Sequence, residues 1–439
     1  MKNKQEKEGS HKKSDQAATL SRRSFLSGST AAGAAAAGFQ IIRPELVRGQ
    51  GNEKLKVGII GCGGRGTRGI HEMLTGNPNV ELVAMADLFE NQLEGSLRRL
   101  RDAGEFPGIQ DRIKVEPDHR FVGFDAYKKM LATDIDIVTL HTPPGWRPVH
   151  FEAAVNAKKH IFAEKPMGTD PVGMRRYFAA AKKSEEMKLT VMIGAQRRSQ
   201  KEYVESVQRI HDGDIGDVVA TYANWVGGPV IKGKEYTEKT GLEWQHRAWY
   251  SYVWICGDQI VEQHLHNIDV INWVMGTHPV SVVASGGAAW RPRERIYGNI
   301  YDHIFADFVY ENGVRMTSHC RQFPTGVSNV GELVVGTKGK TNCRDLGTES
   351  EVRSMVQEHI DMVNSILGKG PYVNRAMAVG ESTMTCIMAR ESAYSGIEVT
   401  WDMIMNSKLD LMPKDPENMM LEDEVDIPEL PVPGEYKFT

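Results

Sequence analysis

The stretch that decides the fold is Lys54–Asp87, KLKVGIIGCGGRGTRGIHEMLTGNPNVELVAMAD. It opens with a short apolar run, Val57–Ile60, of the kind a buried parallel strand requires. A glycine turn comes next, in which Gly61, Gly63 and Gly66 have the G-x-G-x-x-G spacing. The pattern then predicts a helix over Thr67–Leu74, a turn at Asn77-Pro78-Asn79 and a second apolar run, Leu82–Ala86, ending on Asp87. Each part has a physical task. Gly61 permits the tight turn, Gly63 lets backbone approach a pyrophosphate, and Gly66 lets the helix pack closely on the strand. The helix N-terminus offers free N–H groups and a partial positive charge to phosphates. A carboxylate about 20 residues beyond the glycines is placed to hydrogen-bond a ribose 2′-hydroxyl, and Asp87 is that carboxylate. With strand, turn, helix and acid in register, the stretch reads as a dinucleotide site.

The 439 residues suffice for two domains with proper cores. Hydrophobic content of 41%, charged content of 25% and a net charge of −4 are those of an ordinary soluble globular protein. Without a basic bias, nucleic acid is not an expected partner. Five scattered cysteines, with no C-x-x-C pair, argue against a disulfide scaffold or a structural zinc site.

The first fifty residues read as a segment outside the fold. Ser21-Arg22-Arg23-Ser24-Phe25-Leu26, followed by the weakly apolar Ser27–Gly38, resembles a twin-arginine export signal. The alternative is a disordered basic tail. The run is too short and too weakly apolar to span a bilayer, and no other stretch is a candidate span. The expectation is a protein handled by the twin-arginine export machinery and located in the periplasm, or otherwise exported. That route carries folded proteins, so a cofactor could be loaded first.

Downstream of Asp87, Asn91–Ala103 has helical spacing and Asp125 is placed to cap a short helix over Ala126–Leu131. Ile135–Leu140 reads as a central strand leading into His141-Thr142-Pro143-Pro144-Gly145. Phe151–Ala157 reads as a helix, and His160–Ala163 as a strand ending in Glu164-Lys165-Pro166. Ligands bind at the carboxyl ends of such strands, which makes Lys165 a catalytic candidate, although by spacing alone a surface lysine is the more ordinary reading. Asp170 and Pro171 look like an N-cap and first helical residue. Thr190–Gly194 closes the first domain.

In the second half, Lys201–Asp212 reads as a helix, Val218–Trp225 as a strand and Gly227–Arg247 as an irregular polar loop. An aromatic cluster comes next: Trp244, Trp249, Tyr250, Tyr252 and Trp254. Such rings suit the apolar faces of sugars and suit a hydrophobic core equally. Gly257–Gly276, GDQIVEQHLHNIDVINWVMG, reads as one helix with Glu262, His266 and Asp269 at i, i+4 and i+7 on one face. That face could carry a general acid or base, or simply a packed histidine. Glu262 and His266 could ligate a metal, but no third ligand is visible, so no metal site is assigned. Strand-like runs at Val280–Ala288, His303–Tyr310, Val314–His319 and Glu332–Val335, with a hairpin turn at Glu311-Asn312-Gly313, suggest a mainly antiparallel sheet. Val352–Leu367 and Ala376–Ser395 read as helices, and the Pro- and acid-rich Leu409–Thr439 as an extended arm, with a neighbouring subunit as one surface it could cover.

Over Leu55–Met405 the chain resembles the Gfo/Idh/MocA family (glucose–fructose oxidoreductase / inositol dehydrogenase). The resemblance is carried by the glycine turn, Thr142-Pro143-Pro144 with His150, Glu164-Lys165-Pro166, His266-Asn267-Ile268-Asp269, Tyr394-Ser395-Gly396 and Val399-Thr400-Trp401-Asp402. It implies an α/β fold: an N-terminal Rossmann doubly wound parallel sheet, then an α+β domain with a large, mainly antiparallel open sheet through which subunits pair as homodimers or homotetramers. The expected boundaries are 1–51 for the export signal and linker, 52–195 for the nucleotide domain, 196–410 for the substrate and oligomerisation domain, and 411–439 for the arm.

The resemblance also implies a nicotinamide cofactor exchanging hydride with a sugar or polyol carbon. Lys165 corresponds to the family's lysine and His266 to its catalytic histidine. Many members have Asp where Glu262 stands, so either His266 or Lys165 is the proton acceptor. Gly61, Cys62, Gly63, Gly64, Arg65, Gly66, Asp87, Thr142, Pro143, His150, Glu164 and Lys165 form the cofactor set, and Arg197, Trp254 and Asp269 the substrate set. Asp87 favours NAD, while Arg65 nearby leaves NADP open; a tightly bound cofactor is expected. Two alternatives remain: an NAD-dependent glycosidase working by oxidation, elimination and reduction, and a non-catalytic nucleotide-binding protein.

Overall fold

The structure, a computed structural model, describes residues 54–230, 241–416 and 418–439. The twin-arginine segment and residues 231–240 of the expected loop lie outside the described residues. The first sheet is built from β1 (Leu55–Ile60), α1 (Gly64–Gly76), β2 (Val80–Asp87), α2 (Glu90–Arg101), β3 (Arg120–Val122), α3 (Ala126–Leu131), β4 (Ile137–Leu140), α4 (Arg147–Asn156), β5 (His160–Ala163), α5 (Pro171–Glu186) and β6 (Val191–Ile193). Its strand order is β3-β2-β1-β4-β5-β6, all parallel. Strands β4, β5 and β6 are buried at every residue, which is why they read as continuous apolar runs rather than alternating ones. Strand order reverses between β1 and β4, and the loops leaving these two strands face one crevice.

Local details depart from the sequence reading in two places. Helix α1 begins at Gly64, three residues before the expected start, because the glycine turn is itself the first helical turn. Asp125 makes no side-chain cap; its carboxylate pairs instead with Lys129 at 2.8 Å. Asp170 caps α5 as expected, accepting from the Gly173 N–H at 2.7 Å.

The second sheet comes after α6 (Lys201–His211), with β7 (Val218–Gly227), α7 (Leu242–Arg247), α8 (Val253–Cys256), α9 (Leu265–Met275), β8 (Ser281–Gly287), β9 (His303–Val309), β10 (Arg315–Gln322), β11 (Asn329–Gly336), β12 (Lys340–Thr341), α10 (Ser354–Ile366), α11 (Ala376–Ser395), β13 (Val399–Thr400) and α12 (Trp401–Asn406). The order is β12-β11-β7-β10-β9-β8-β13, antiparallel except for the β7–β10 pair. One face, including Ile304, Phe308, Met316 and Cys320, is buried in the same core as α9 and α11. Complete burial of each such large side chain is worth about 1.5–3 kcal/mol. The other face carries the exposed Tyr222, Val283 and Phe305.

Three further findings revise the reading. The end of the expected loop is a helix, α7. Gly257–Gly276 is not one continuous α-helix: Ile260–His264 is wound as a π-turn before α9 begins. Asp269 does not share the surroundings of Glu262 and His266, because it pairs with Arg198 and accepts from Ser382. The C-terminal arm packs on its own chain, where Met419 and Ile427 join a cluster with Trp146, Leu242 and Trp254.

Candidate functional site

The glycine turn has the steric signature of a phosphate cradle. Gly61 has φ +93°, and a Cβ there would meet the His141 carbonyl carbon at 2.7 Å. A Cβ on Gly66 would meet the Gly61 oxygen at 2.0 Å. At Gly63 and Gly64 a Cβ would meet nothing within 4 Å, because both border open crevice. Helix α1 starts there without a side-chain cap and without an acid in its first turn, leaving its N–H groups and partial positive charge to an anion. This geometry fits a dinucleotide pyrophosphate.

Asp87 closes β2 at the crevice edge. Its carboxylate accepts from the Cys62 N–H at 2.6 Å and the Phe89 N–H at 2.8 Å. Burial pushes its pKa up, opposed by those N–H groups and by Arg247. Cys62 is buried with its thiol against the Ala86 carbonyl, and burial raises its pKa well above the usual thiol value. Arg65 does not reach toward Asp87: its guanidinium pairs with Glu164 at 2.6 Å and Glu72 at 2.8 Å. The cation beside the acid is Arg247, from the second half of the chain, stacked 4.0 Å over the Phe89 ring. Nothing in the sequence singled it out; only its neighbours Trp244 and Trp249 stood out, as aromatics.

The crevice encloses about 610 Å³, lined by Gly61, Gly63, Gly64, Asp87, Thr142, Pro143 and His150 together with Trp244, His246, Arg247 and Trp249. Thr142 Oγ1 and His150 Nδ1 lie 3.1 Å apart, and burial lowers the His150 pKa to about 3. Helix α7 thus roofs part of the crevice. The arm holds it there: the Leu242 N–H donates to Asp423 O at 2.9 Å, Glu243 N–H to Leu421 O at 3.1 Å and Gln245 Nε2 to Val425 O at 3.0 Å.

A second cavity of about 370 Å³ continues from the glycine turn and contains Glu164, Lys165, Gln196, Glu262 and His266. Lys165, buried at the end of β5, donates to the Glu262 backbone carbonyl and to Glu262 Oε1 at 3.0 Å. Glu262 Oε2 accepts from Gln263 at 2.6 Å. The His266 ring lies 5.9 Å from that of Trp225, stacked, and its Nδ1 is buried without a hydrogen-bond partner among the described residues. Burial, then the charges of Lys165 and Arg197, push its pKa well down, so the ring is a neutral proton acceptor.

None of the three residues expected to bind substrate lines either cavity. Arg197 pairs with Glu332, which also accepts from Asn267 and Tyr203. Trp254 is buried among Trp146, Leu242 and Tyr252, its N–H donating to Gln245 at 2.7 Å. Asp269 forms a bidentate pair with Arg198, at 2.8 and 2.9 Å, and accepts from Ser382. No group of three or more His, Cys, Asp or Glu side chains among the described residues is placed to hold a metal ion.

The model of the oxidoreductase family with an NAD-binding Rossmann fold matches residues 55–195, and that of the GFO/IDH/MocA C-terminal domain matches residues 203–342. The chain belongs to the Gfo/Idh/MocA family. Its crevice is that of an NAD-binding Rossmann domain. Among Gfo/Idh/MocA relatives, it is 24% identical over 222 residues to the inositol 2-dehydrogenase of Salmonella typhimurium (50% of this chain, 54% of the relative). It is 26% identical over 234 residues to that of Rhizobium meliloti (53% and 58%). The chain spans about half the length of the curated relatives it matches first. The same fold is seen in scyllo-inositol dehydrogenase from Lactobacillus casei with bound NAD(H) and scyllo-inositol (TM-score 0.60, 20% identity, 79% of this chain and 99% of that one). It recurs in the WlbA dehydrogenase of Bordetella pertussis in complex with NADH and UDP-GlcNAcA (TM-score 0.61, 18% identity, 79% and 98%).

Proposed function

We propose that the protein is an exported, NAD-dependent oxidoreductase that acts on a hydroxyl-bearing carbon of a sugar or cyclic polyol. The observation that carries this reading is the convergence of Lys165, Glu262 and His266 on a cavity continuous with the glycine-turn crevice. Bound NAD would supply the two-electron chemistry as hydride acceptor or donor. Neutral His266 takes the hydroxyl proton as the carbon is oxidised. Lys165, held by two contacts to Glu262, faces the oxygen and stabilises its developing negative charge. The occupied Arg65 and the presence of Asp87 support NAD over NADP. The twin-arginine segment supports export, and the apolar outer face of the second sheet supports pairing of two or four copies.

The α7 roof, braced by the arm, favours a cofactor that stays bound between turnovers. Retention also suits a redox-neutral cycle in which a glycoside is oxidised, loses its aglycone and is reduced again. One experiment separates the readings. Protein purified without added cofactor is denatured and its nicotinamide counted, and fresh protein is assayed against polyols, sugars and aryl glycosides. Stoichiometric nicotinamide with aglycone release supports the glycosidase cycle. Turnover of free polyol without aglycone release supports the dehydrogenase. Absence of nicotinamide binding refutes both.

A further inference from the structure

Helix α10 follows β12 of the second sheet in sequence but packs into the first domain. Its Met362, Val363 and Ile366 belong to the core of β1 and α1, and Gly76 of α1 leaves room for Val356 and Ile360. This docking brings Glu358 to the wall of the cavity that holds Lys165 and His266. Glu358 is only 1% exposed, and its Oε2 has no hydrogen-bond partner among the described residues.

The charges facing Glu358 are Glu164 beyond β5, Arg65 and Glu72 on α1, and Arg375 before α11. Both arginines are engaged elsewhere. Arg65 pairs with Glu164 and Glu72, while Arg375 donates to Ser199 Oγ and to the Arg198 carbonyl, each at 2.9 Å. Burial first, then Glu164, push the Glu358 pKa well above the usual carboxylate value. An isolated buried carboxylate without a partner costs far more than the protonated acid.

We propose that Glu358 is an uncharged acid that donates its O–H to an oxygen acceptor of the ligand in the reaction cavity, so that α10 helps to position that ligand. The acceptor is an uncharged oxygen, supplied either by the carboxamide of the nicotinamide or by a substrate hydroxyl. This proposal rests on the reading of the second cavity as the reaction cavity.

The test compares E358Q, which keeps an uncharged donor, with E358A. Infrared spectra of the full chain report the carbonyl band of a protonated carboxylic acid, with no substrate needed. The expected result is a band at neutral pH in the parent protein that E358Q removes. E358A should lose about tenfold in NAD affinity or in substrate KM, according to which ligand provides the oxygen, and E358Q should recover most of it. Identical spectra for parent and E358Q overturn the proposal, as does E358A with unchanged NAD affinity and KM. If no polyol or glycoside is turned over, the functional reading fails by itself, while the spectrum and NAD titration still judge Glu358.

Discussion

Replacing Lys165 with methionine separates what this lysine does for the fold from what it does for the chemistry. Lys165 and Glu262 are about 9–10% exposed and meet at 3.0 Å. In K165M the Glu262 carboxylate keeps Gln263 as its donor, and its backbone carbonyl loses the ammonium. Breaking a buried pair by removing one partner costs about 3–5 kcal/mol, and water access through the cavity argues for the lower end, about 3 kcal/mol. In a chain of this size, with an unfolding entropy of about 2.1 cal/mol/K per residue, that corresponds to a melting temperature lowered by about 4 °C. The double variant K165M/E262Q removes the orphaned charge and should recover about half of the loss, since the carbonyl remains unpaired. Neither variant should turn over substrate, although both should retain NAD. The assay is thermal unfolding of K165M, E262Q and the double variant, alongside nicotinamide content and activity. An unchanged melting temperature for K165M would mean that the pair is solvated. Activity in the double variant would remove Lys165 from the reaction.

Arg247→Ala removes a guanidinium stacked on Phe89 at the adenosine end of the crevice; with the side chain about one-third exposed, the loss is about 1 kcal/mol, or about fivefold faster NAD release in a dilution assay. Asp87→Ser withdraws the charged acceptor at the ribose position and should weaken NAD binding about tenfold or more while narrowing the preference over NADP, measured by titrating both cofactors. Acidification should loosen the α7 roof. His246 accepts from the Trp146 indole N–H at 2.9 Å, so its own proton sits on Nδ1, facing Leu242 O, and burial lowers its pKa to about 4. Because the folded-state value lies below the unfolded one, its contribution is fully present above pH ~6.5 and is lost as pH falls toward 4, up to about 3 kcal/mol. Retained NAD should therefore fall over that window, and His246→Gln should flatten the pH profile; an identical profile would exclude His246 as the cause.

The local signals along the first domain carried most of its architecture. Short-range sterics explain this: a glycine turn between a buried strand and a helix admits few backbone conformations, and fully buried parallel strands must be apolar throughout. Asp87 was legible because it stands at a fixed offset from the glycine turn, whereas Lys165 and His266 stood out through the family resemblance. The separation of Asp269 from Glu262 and His266 was not legible, because Arg198 and Ser382, which claim its carboxylate, are brought to it only by the fold. Arg65 drew attention by proximity in sequence, yet Glu72, two turns along the same helix, and Glu164, which only the folded chain brings to it, claim its guanidinium. Arg247 and Glu358 carried no local mark. The first lies 160 residues and the second 271 residues beyond Asp87 along the chain. They reach the crevice and the cavity because α7 is pinned by the C-terminal arm and α10 docks on α1. Sequence alone thus determined the strands and glycine turn of the nucleotide cradle, which depend on neighbouring residues, while the meeting of Lys165 and His266 in one cavity required the fold. Tertiary packing decided which distant charges surround them, because burial and pairing are properties of the assembled chain.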